Sequence, residues 1–411
     1  RPSYTYIMNV RNHNLYRNER VLLSTFDNPL DRRGNGSKKW DKDYIQRRFK
    51  TSREDIYPLF IADMDFRQDA AVLQAFHAFI ETGDFGYFDV LDSFYDTIQA
   101  WYRDKLETLI EKEWIVPANG TIASMHFAAD LVSKGRPIMM LTPVYGVFKD
   151  IAMNFGGMVT VPLLEADGAY RIDTKRMEQE IVTHSVVTLL FCNPHNPSGR
   201  IWSYEELQEV VHVCKKHGVT ILSDEIHGEL NLTEKPFVSL ISFLEEYSDI
   251  IVVSSPNKTF NLSGLTASYV IIRNPELRAA YQHELARFHI TINRAGMAFI
   301  TAAYEHGRDW HTDLLAYLKG NMDLAAERFD GLDLEWMRPD AGFLVWIRLN
   351  KVTDVDRFVL ELAQQTGVLV ETGSRFVADY GNHIRLNCAA SRGFLGEALD
   401  KFRDFYQHYK D

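Results

Sequence analysis

Cysteine is scarce in this chain: three residues in 411, Cys192, Cys214 and Cys388, odd in number and widely spaced. That argues against a disulfide framework and against a CxxC metal or redox site, and it fits a reducing cytoplasm. Long apolar runs are missing as well. The longest, such as Val186 to Cys192 and Ile250 to Val253, are strand-sized and far too short for a bilayer, so no membrane span is expected. The first thirty or so residues lack the apolar centre of a secretory signal, because Arg11, Asn12, His13, Asn14, Arg17 and Asn18 interrupt it, and Met8 is a candidate start. Basic residues are outnumbered, 45 Lys and Arg against 56 Asp and Glu, and they are scattered, which argues against a nucleic-acid partner. Walker A, Gly-x-Gly-x-x-Gly and His-Glu-x-x-His spellings are absent, so nucleotide and zinc-protease readings have no footing. The 14 histidines show no ligand pair, and no metal is expected.

What is present reads as an α/β enzyme. A chain of 411 residues exceeds the size of one growing core, so a large and a smaller domain are expected. From about Asp69 onward, helical and strand-like segments alternate, the pattern of a mostly parallel sheet covered by helices. The clearest unit runs from Val186 to Asp224. An apolar run ending at Cys192 meets a Pro/Asn/Gly loop, then a helix capped by Ser203 with Glu206 three residues on and ended by Gly218, then a second strand, Val219 to Ser223. Further strands are expected at Ile138 to Leu141, Met158 to Pro162 and Ile250 to Ser254. After about Trp310 the alternation weakens into a long helix, Thr312 to Phe329, strands at Phe343 to Leu349 and Ile384 to Asn387, and a helix from Val355. The expected partition is a large domain over residues 60–311 and a small α+β domain from 1–59 and 312–411. Ligands of open α/β sheets collect beyond the carboxyl ends of the strands, which directs attention to the loops that follow them.

Three such loops carry unusual polar sets: Asn193-Pro194-His195-Asn196-Pro197-Ser198-Gly199, Ser223-Asp224-Glu225-Ile226-His227, and Ser254-Ser255-Pro256-Asn257-Lys258-Thr259-Phe260-Asn261. Singly, each reads as loop punctuation, a helix cap or a surface lysine. In this order, and joined by Ile61-Ala62-Asp63-Met64-Asp65-Phe66, Phe85-Gly86-Tyr87, Thr142-Pro143-Val144-Tyr145 and Arg385-Leu386-Asn387, they resemble the class I/II aminotransferases among the fold-type I pyridoxal 5'-phosphate (PLP) enzymes. The similarity is closest to the cystathionine β-lyase branch of the MalY/PatB type and runs from about Trp40 to the end. It implies the aspartate aminotransferase fold, with a seven-stranded sheet in the large domain.

The resemblance also implies roles. Lys258 matches the lysine that binds the cofactor aldehyde as an imine and later moves protons. Asp224 matches the carboxylate that keeps the pyridine nitrogen protonated. Asn196 matches the amide bonded to the phenolic oxygen, and His227 stands where ordinary aminotransferases have a tyrosine beside it. Tyr145 is expected to stack on the ring. Gly120, Thr121 and Ile122 open a helix whose N-terminus suits a phosphate, with a hydroxyl from Ser255. Tyr87 resembles a phosphate-binding tyrosine donated by a neighbouring subunit, which implies a homodimer. Arg385 matches the arginine that grips the substrate α-carboxylate. Asp63 is expected on the substrate side.

Two departures stand out. Many aminotransferases carry an arginine eight residues after the lysine, where this chain has Thr266, as in the lyase branch. Gly146 follows Tyr145 where some C–S lyases have a second tyrosine. The leading expectation is β-elimination from L-cystathionine or a related cysteine S-conjugate, giving a thiol (homocysteine from cystathionine), pyruvate and ammonia. The alternative is transamination with the same cofactor and lysine. A third reading, non-enzymatic binding of a transcription regulator, follows from the same resemblance and has no residue of its own here.

Overall fold

Period-two apolar alternation lets one strand feed two cores, and most of this molecule is built that way. The computed structural model describes residues 25–377 and 381–411; the reading of residues 1–24 as lacking a signal segment lies outside the described residues. A short strand β1 (Tyr57–Pro58) precedes a seven-stranded sheet built from β2 (Ile115–Ala118), β3 (Ile138–Thr142), β4 (Met158–Pro162), β7 (Thr188–Cys192), β8 (Thr220–Asp224), β9 (Ile250–Ser254) and β10 (Ser268–Ile272). Between β4 and β7 lies a hairpin of β5 (Leu164–Ala166) and β6 (Ala169–Arg171). The sheet order is 2-10-9-8-7-3-4. Strand β10 is antiparallel to both its neighbours, and the other pairings are parallel.

Helices α1 (Lys42–Phe49), α2 (Ala70–Glu81) and α3 (Asp92–Lys105) precede this sheet; α4 (Thr121–Ser133), α5 (Val147–Phe155), α6 (Thr174–His184), α7 (Tyr204–His217), α8 (Pro275–Arg287) and α9 (Arg294–His306) follow its strands. Met140, Leu190, Leu222, Ile251 and Val270 join one buried cluster with residues of α4, α5 and α8. Their chain neighbours Met139, Leu189, Ile221, Val252 and Ile271 join the other, with residues of α3, α6, α7 and α9. Helix α7 shows how local chemistry sets an element's ends. Ser203 accepts from the Glu206 N–H while the Glu206 carboxylate accepts from the Ser203 N–H, and Gly218 at φ +67° closes the helix in the left-handed region.

The C-terminal part forms a four-stranded antiparallel sheet in the order 11-12-15-14, from β11 (Leu334–Met337), β12 (Leu344–Leu349), β14 (Glu371–Thr372) and β15 (His383–Asn387). Helices α10 (Arg308–Phe329), α11 (Val355–Thr366) and α12 (Arg392–His408) pack on it through Phe329, Phe358, Leu362, Leu399 and Phe402. The N-terminal segment returns to this region, where β1 pairs in parallel with β13 (Val368–Leu369). No helix among the described residues is long and apolar enough to cross a membrane.

Candidate active site

The carboxyl ends of the parallel strands open into a cleft of about 810 Å³, and the C-terminal sheet supplies its opposite wall. Asp224 is the last residue of β8, Lys258 follows β9, Asn196 follows β7 and Tyr145 follows β3; all four line this cleft, together with His227, Arg385 and Asp63. These seven side chains, spread from residue 63 to 385, are brought to one place by the fold.

Burial sets the proton affinities of the floor. Lys258 Nζ donates to the Ala62 carbonyl at 2.6 Å, and desolvation, with Arg385 adding, lowers its pKa to about 8 against the opposing pull of Asp63 and Asp224. Asp224 accepts from the Ile226 N–H at 3.2 Å, and burial raises it to about 6, with Lys258 opposing. Burial holds His227 neutral by lowering it to about 3, and the Lys258 and Arg385 cations add to that. Arg385 lies in the middle of β15, its guanidinium 5.1 Å from the Phe376 ring centre, and its Nη1 donates to Asn196 Oδ1 at 3.2 Å. A carboxylate entering beside Asn196 would meet the remaining donors of that fork.

Gly120 precedes α4 at φ +90°, a conformation side-chain-bearing residues rarely adopt. The first amides of α4, those of Thr121, Ile122 and Ala123, lack intrahelical partners and lie at the cleft. They form an anion cradle that needs no arginine, consistent with Thr266 at its edge, where Thr266 Oγ1 donates to Asn119 at 3.3 Å.

Two expected contributors stand elsewhere. The Ser255 hydroxyl donates to the Ala267 carbonyl at 2.7 Å and accepts from the Asn257 N–H at 3.1 Å, and the residue is buried beneath its loop rather than at the cleft wall. Its hydroxyl braces the lysine loop, and the phosphate contact expected of it stays a proposal. Tyr87 is wholly exposed and absent from the walls of its own chain's cleft.

The structure adds residues to which the sequence reading assigned no role. The strap 61–65 that carries Asp63 is held on three sides. Asn261 exchanges both side-chain hydrogen bonds with the Met64 backbone, at 3.0 and 2.8 Å; Asn387 donates to the carbonyls of Ile61 and Asp63 at 2.6 and 2.7 Å. Arg32 bridges Asp63 and Asp65 at 2.6 and 2.9 Å, and the fully buried Lys39 sits 2.7 Å from Asp65. Although burial alone would raise it, Lys39 and Arg32 hold Asp63 below the usual carboxylate range, with Lys258 contributing. His195 braces the facing loop: its Nε2 donates to the Pro143 carbonyl at 2.8 Å and its Nδ1 accepts from Ser198 at 2.7 Å, with burial lowering its pKa to about 4. Asn261 and Asn387 stood inside quoted motifs, where a buried asparagine next to a reactive residue is a usable signal. His195 and Ser198 likewise stood inside one quoted loop, three residues apart, whereas Arg32 and Lys39 gave no signal, since their partners are remote in sequence.

The donor set fits PLP, the cofactor implied by the resemblance. An amine of lowered pKa, a buried carboxylate, an aromatic face and an anion cradle occupy one cleft. Fold and cleft together define the class: a protein of the aspartate aminotransferase fold with its reactive groups at the carboxyl edge of the large sheet. The chain belongs to the aminotransferase class I and II family, whose model matches residues 57–402. It is 32% identical over 386 residues to the cystathionine beta-lyase PatB of Bacillus subtilis, covering 92% of this chain and 98% of that protein. It is 28% identical over 385 residues to the protein MalY of Escherichia coli, covering 91% and 96% respectively. Among solved structures, the PLP-bound C-S lyase from Staphylococcus hominis matches with a TM-score of 0.84 at 26% identity, over 92% of this chain and 97% of that one.

Proposed function

We propose that this chain is a PLP-dependent carbon–sulfur lyase that performs β-elimination on L-cystathionine or a related cysteine S-conjugate. The observation that carries the reading is the convergence of Lys258, Asp224, Asn196 and Arg385 on one cleft, and the relatives named cystathionine beta-lyase support the choice of reaction.

In this reading Lys258 would hold the cofactor through its aldehyde carbon, Asp224 would keep a proton on the pyridine nitrogen, and Asn196 and His227 would flank the phenolic oxygen. Tyr145 would cover the ring face, and the amides of Thr121 and Ile122 after Gly120 would take the phosphate. When bound, the cofactor supplies an electron sink for the pair released as the Cα–H bond breaks. Arg385 and Asn196 grip the α-carboxylate and so fix which Cα bond faces Lys258. Burial lowers the Lys258 pKa to about 8, which favours the free amine that takes the Cα proton. The resulting ammonium returns a proton to the departing sulfur, the Cβ–S bond breaks, and the released enamine is hydrolysed to pyruvate and ammonia. The thiol is homocysteine when cystathionine is the substrate.

Several coarser features belong to the same proposal. The two sheets support a large unit over 60–311 and a small one from 1–59 and 312–411 as far as these are described, residues 1–24 and 378–380 lying outside the described residues. Full exposure of Tyr87, with Phe85 and Leu91 also exposed nearby in sequence, supports a homodimer in which Tyr87 reaches the other copy's phosphate cradle. Three unpaired cysteines support a cytoplasmic location.

Transamination uses the same residues, and one experiment separates the two. Purified PLP-loaded protein is given L-cystathionine without a keto-acid acceptor, and pyruvate is followed with time. Many turnovers per chain are expected. A single stoichiometric conversion of the cofactor to its pyridoxamine form, with no pyruvate released, would make the chain an aminotransferase instead.

A further inference from the structure

The mouth of the cleft carries charge that the chemistry at Lys258 does not use. Arg375 ends the turn Gly373–Arg375 just after β14. That turn is docked on the Tyr145 segment: a Cβ at Gly146 would stand 2.2 Å from the Arg375 carbonyl oxygen, and the Val377 N–H donates to the Val144 carbonyl at 2.9 Å. Position 146 is therefore glycine because the turn occupies the space of a side chain, and the turn delivers Arg375 and Phe376 into the cleft wall.

Glu371 lies directly opposite Arg385 in the β14–β15 pair, is hydrogen-bonded by Arg48, and sits 3.6 Å from Arg375 Nε. Arg48 is fixed in place. Its Nη1 donates to the Tyr44 hydroxyl at 3.2 Å and its guanidinium lies 5.0 Å from the Phe60 ring centre. Lys38 joins this wall with its amine 4.9 Å from the Tyr44 ring centre. Arg48 and Arg375 thus share a single carboxylate, Glu371, and Lys38 lines the same cleft. Arg375 has a looser hold on Glu371 than Arg48 does, with a side chain 60% exposed against 16%.

We propose that Arg375, backed by Arg48 and Lys38, is a specificity-determining cation that takes an anionic group carried on the far side of the substrate sulfur. The inference rests on the lyase reading above. A substrate anchored at Arg385 finds the floor closed by Lys258 and Asp224, so its sulfur substituent extends toward the mouth, where these cations stand. The preferred substrates are then cysteine conjugates whose S-substituent ends in a carboxylate, because a guanidinium discriminates a carboxylate from an alkyl group of equal length.

The test compares S-(2-carboxyethyl)-L-cysteine with the isosteric, uncharged S-(3-methylbutyl)-L-cysteine, using PLP-loaded protein and reading the ratio of their kcat/KM values. The wild type is expected to favour the carboxylate substrate roughly tenfold or more, mostly through KM, as one charge-assisted contact allows. Arg375→Gln brings the ratio toward one, and Arg375→Lys restores part of it. A wild-type ratio near one, or a ratio that Arg375→Gln leaves intact while the alkyl substrate is still turned over at the wild-type rate, overturns the proposal. A variant that merely misfolds lowers both rates and leaves the ratio where it was. Turnover of neither substrate by the wild type sinks the lyase reading, and this inference with it.

Discussion

The floor of the cleft and the strap beside it are both buried and both rich in ionisable groups, yet they move in opposite directions. On the floor, burial pushes every shifted group toward neutrality: Lys258 down to about 8, Asp224 up to about 6, His227 down to about 3. On the strap, burial is overcome. Asp63 is lowered and Arg32 is raised, because each has its counter-charge within hydrogen-bond distance. The difference is one of pairing, since a buried group with a directly bonded partner stays charged and one without relaxes toward its neutral form. The floor can exchange protons near neutral pH, and the strap is scaffold.

Breaking the floor has the largest expected effect. Lys258→Ala should lower turnover by roughly 10²–10⁴-fold and remove the visible absorbance of covalently held cofactor; an enzyme that keeps both is not using Lys258. Breaking the strap should act on stability. Asp65→Asn leaves the fully buried Lys39 without its 2.7 Å partner and is expected to cost about 3 kcal/mol, seen as a lower Tm. Between the two regions, Arg385→Lys keeps the charge and loses the fork. It should reduce kcat/KM by roughly 10- to 100-fold with a raised KM, and no change would remove Arg385 from substrate binding.

The smallest effect sharpens the comparison. Glu229 is buried under the lysine loop, hydrogen-bonded by the Tyr304 hydroxyl, and burial raises it to about 7. Its unfolded value is near 4.3, so between about pH 4 and 7 the native state holds a proton that the unfolded state has lost. Stability therefore falls as pH rises through that window. Glu229→Gln removes the titration, so its stability should gain on the wild type from pH 5 to 8 by about 1–3 kcal/mol, read as a Tm difference that grows with pH. A difference independent of pH would place Glu229 with the paired groups of the strap.

Legibility in the sequence followed the range of the interactions. Strands β4 and β9 and the two ends of α7 match the expected boundaries, because strand periodicity, a capping box and a terminal glycine are local signals. The long C-terminal helix starts at Arg308, four residues before the expected Thr312, since Arg308 continues the helical path without a capping side chain. Strands β2 and β10 were not singled out; their short apolar runs resemble many others, and only the pairing of β10 with both β9 and β2 places them at one end of the sheet, with β2 as its edge. In the cleft, the loops after β7, β8 and β9 carried their residues in recognisable order. Arg48, Glu371 and Arg375 did not announce themselves, because a lone arginine on a helix and a glutamate on a two-residue strand acquire meaning only when the chain folds them together. Ser255 is a motif residue whose hydroxyl the fold turns to the Ala267 carbonyl, a contact between the two ends of the loop that the motif alone does not show.

The reversal of β10 carries one more consequence, for how this chain can change over time. A parallel crossover must span the full height of the sheet, so its length is constrained by geometry. The connection from β9 to β10 instead leaves and re-enters the sheet at the same edge, with its feet stapled where Ser255 and Asn257 both donate to the Ala267 carbonyl. Residues can be added to or removed from such a loop at a closure penalty that grows only with the logarithm of its length, leaving every strand register untouched. The reactive amine thus rides on the connection in this sheet best able to drift in length, so the lysine's surroundings are open to evolutionary adjustment while the frame that aims it stays fixed.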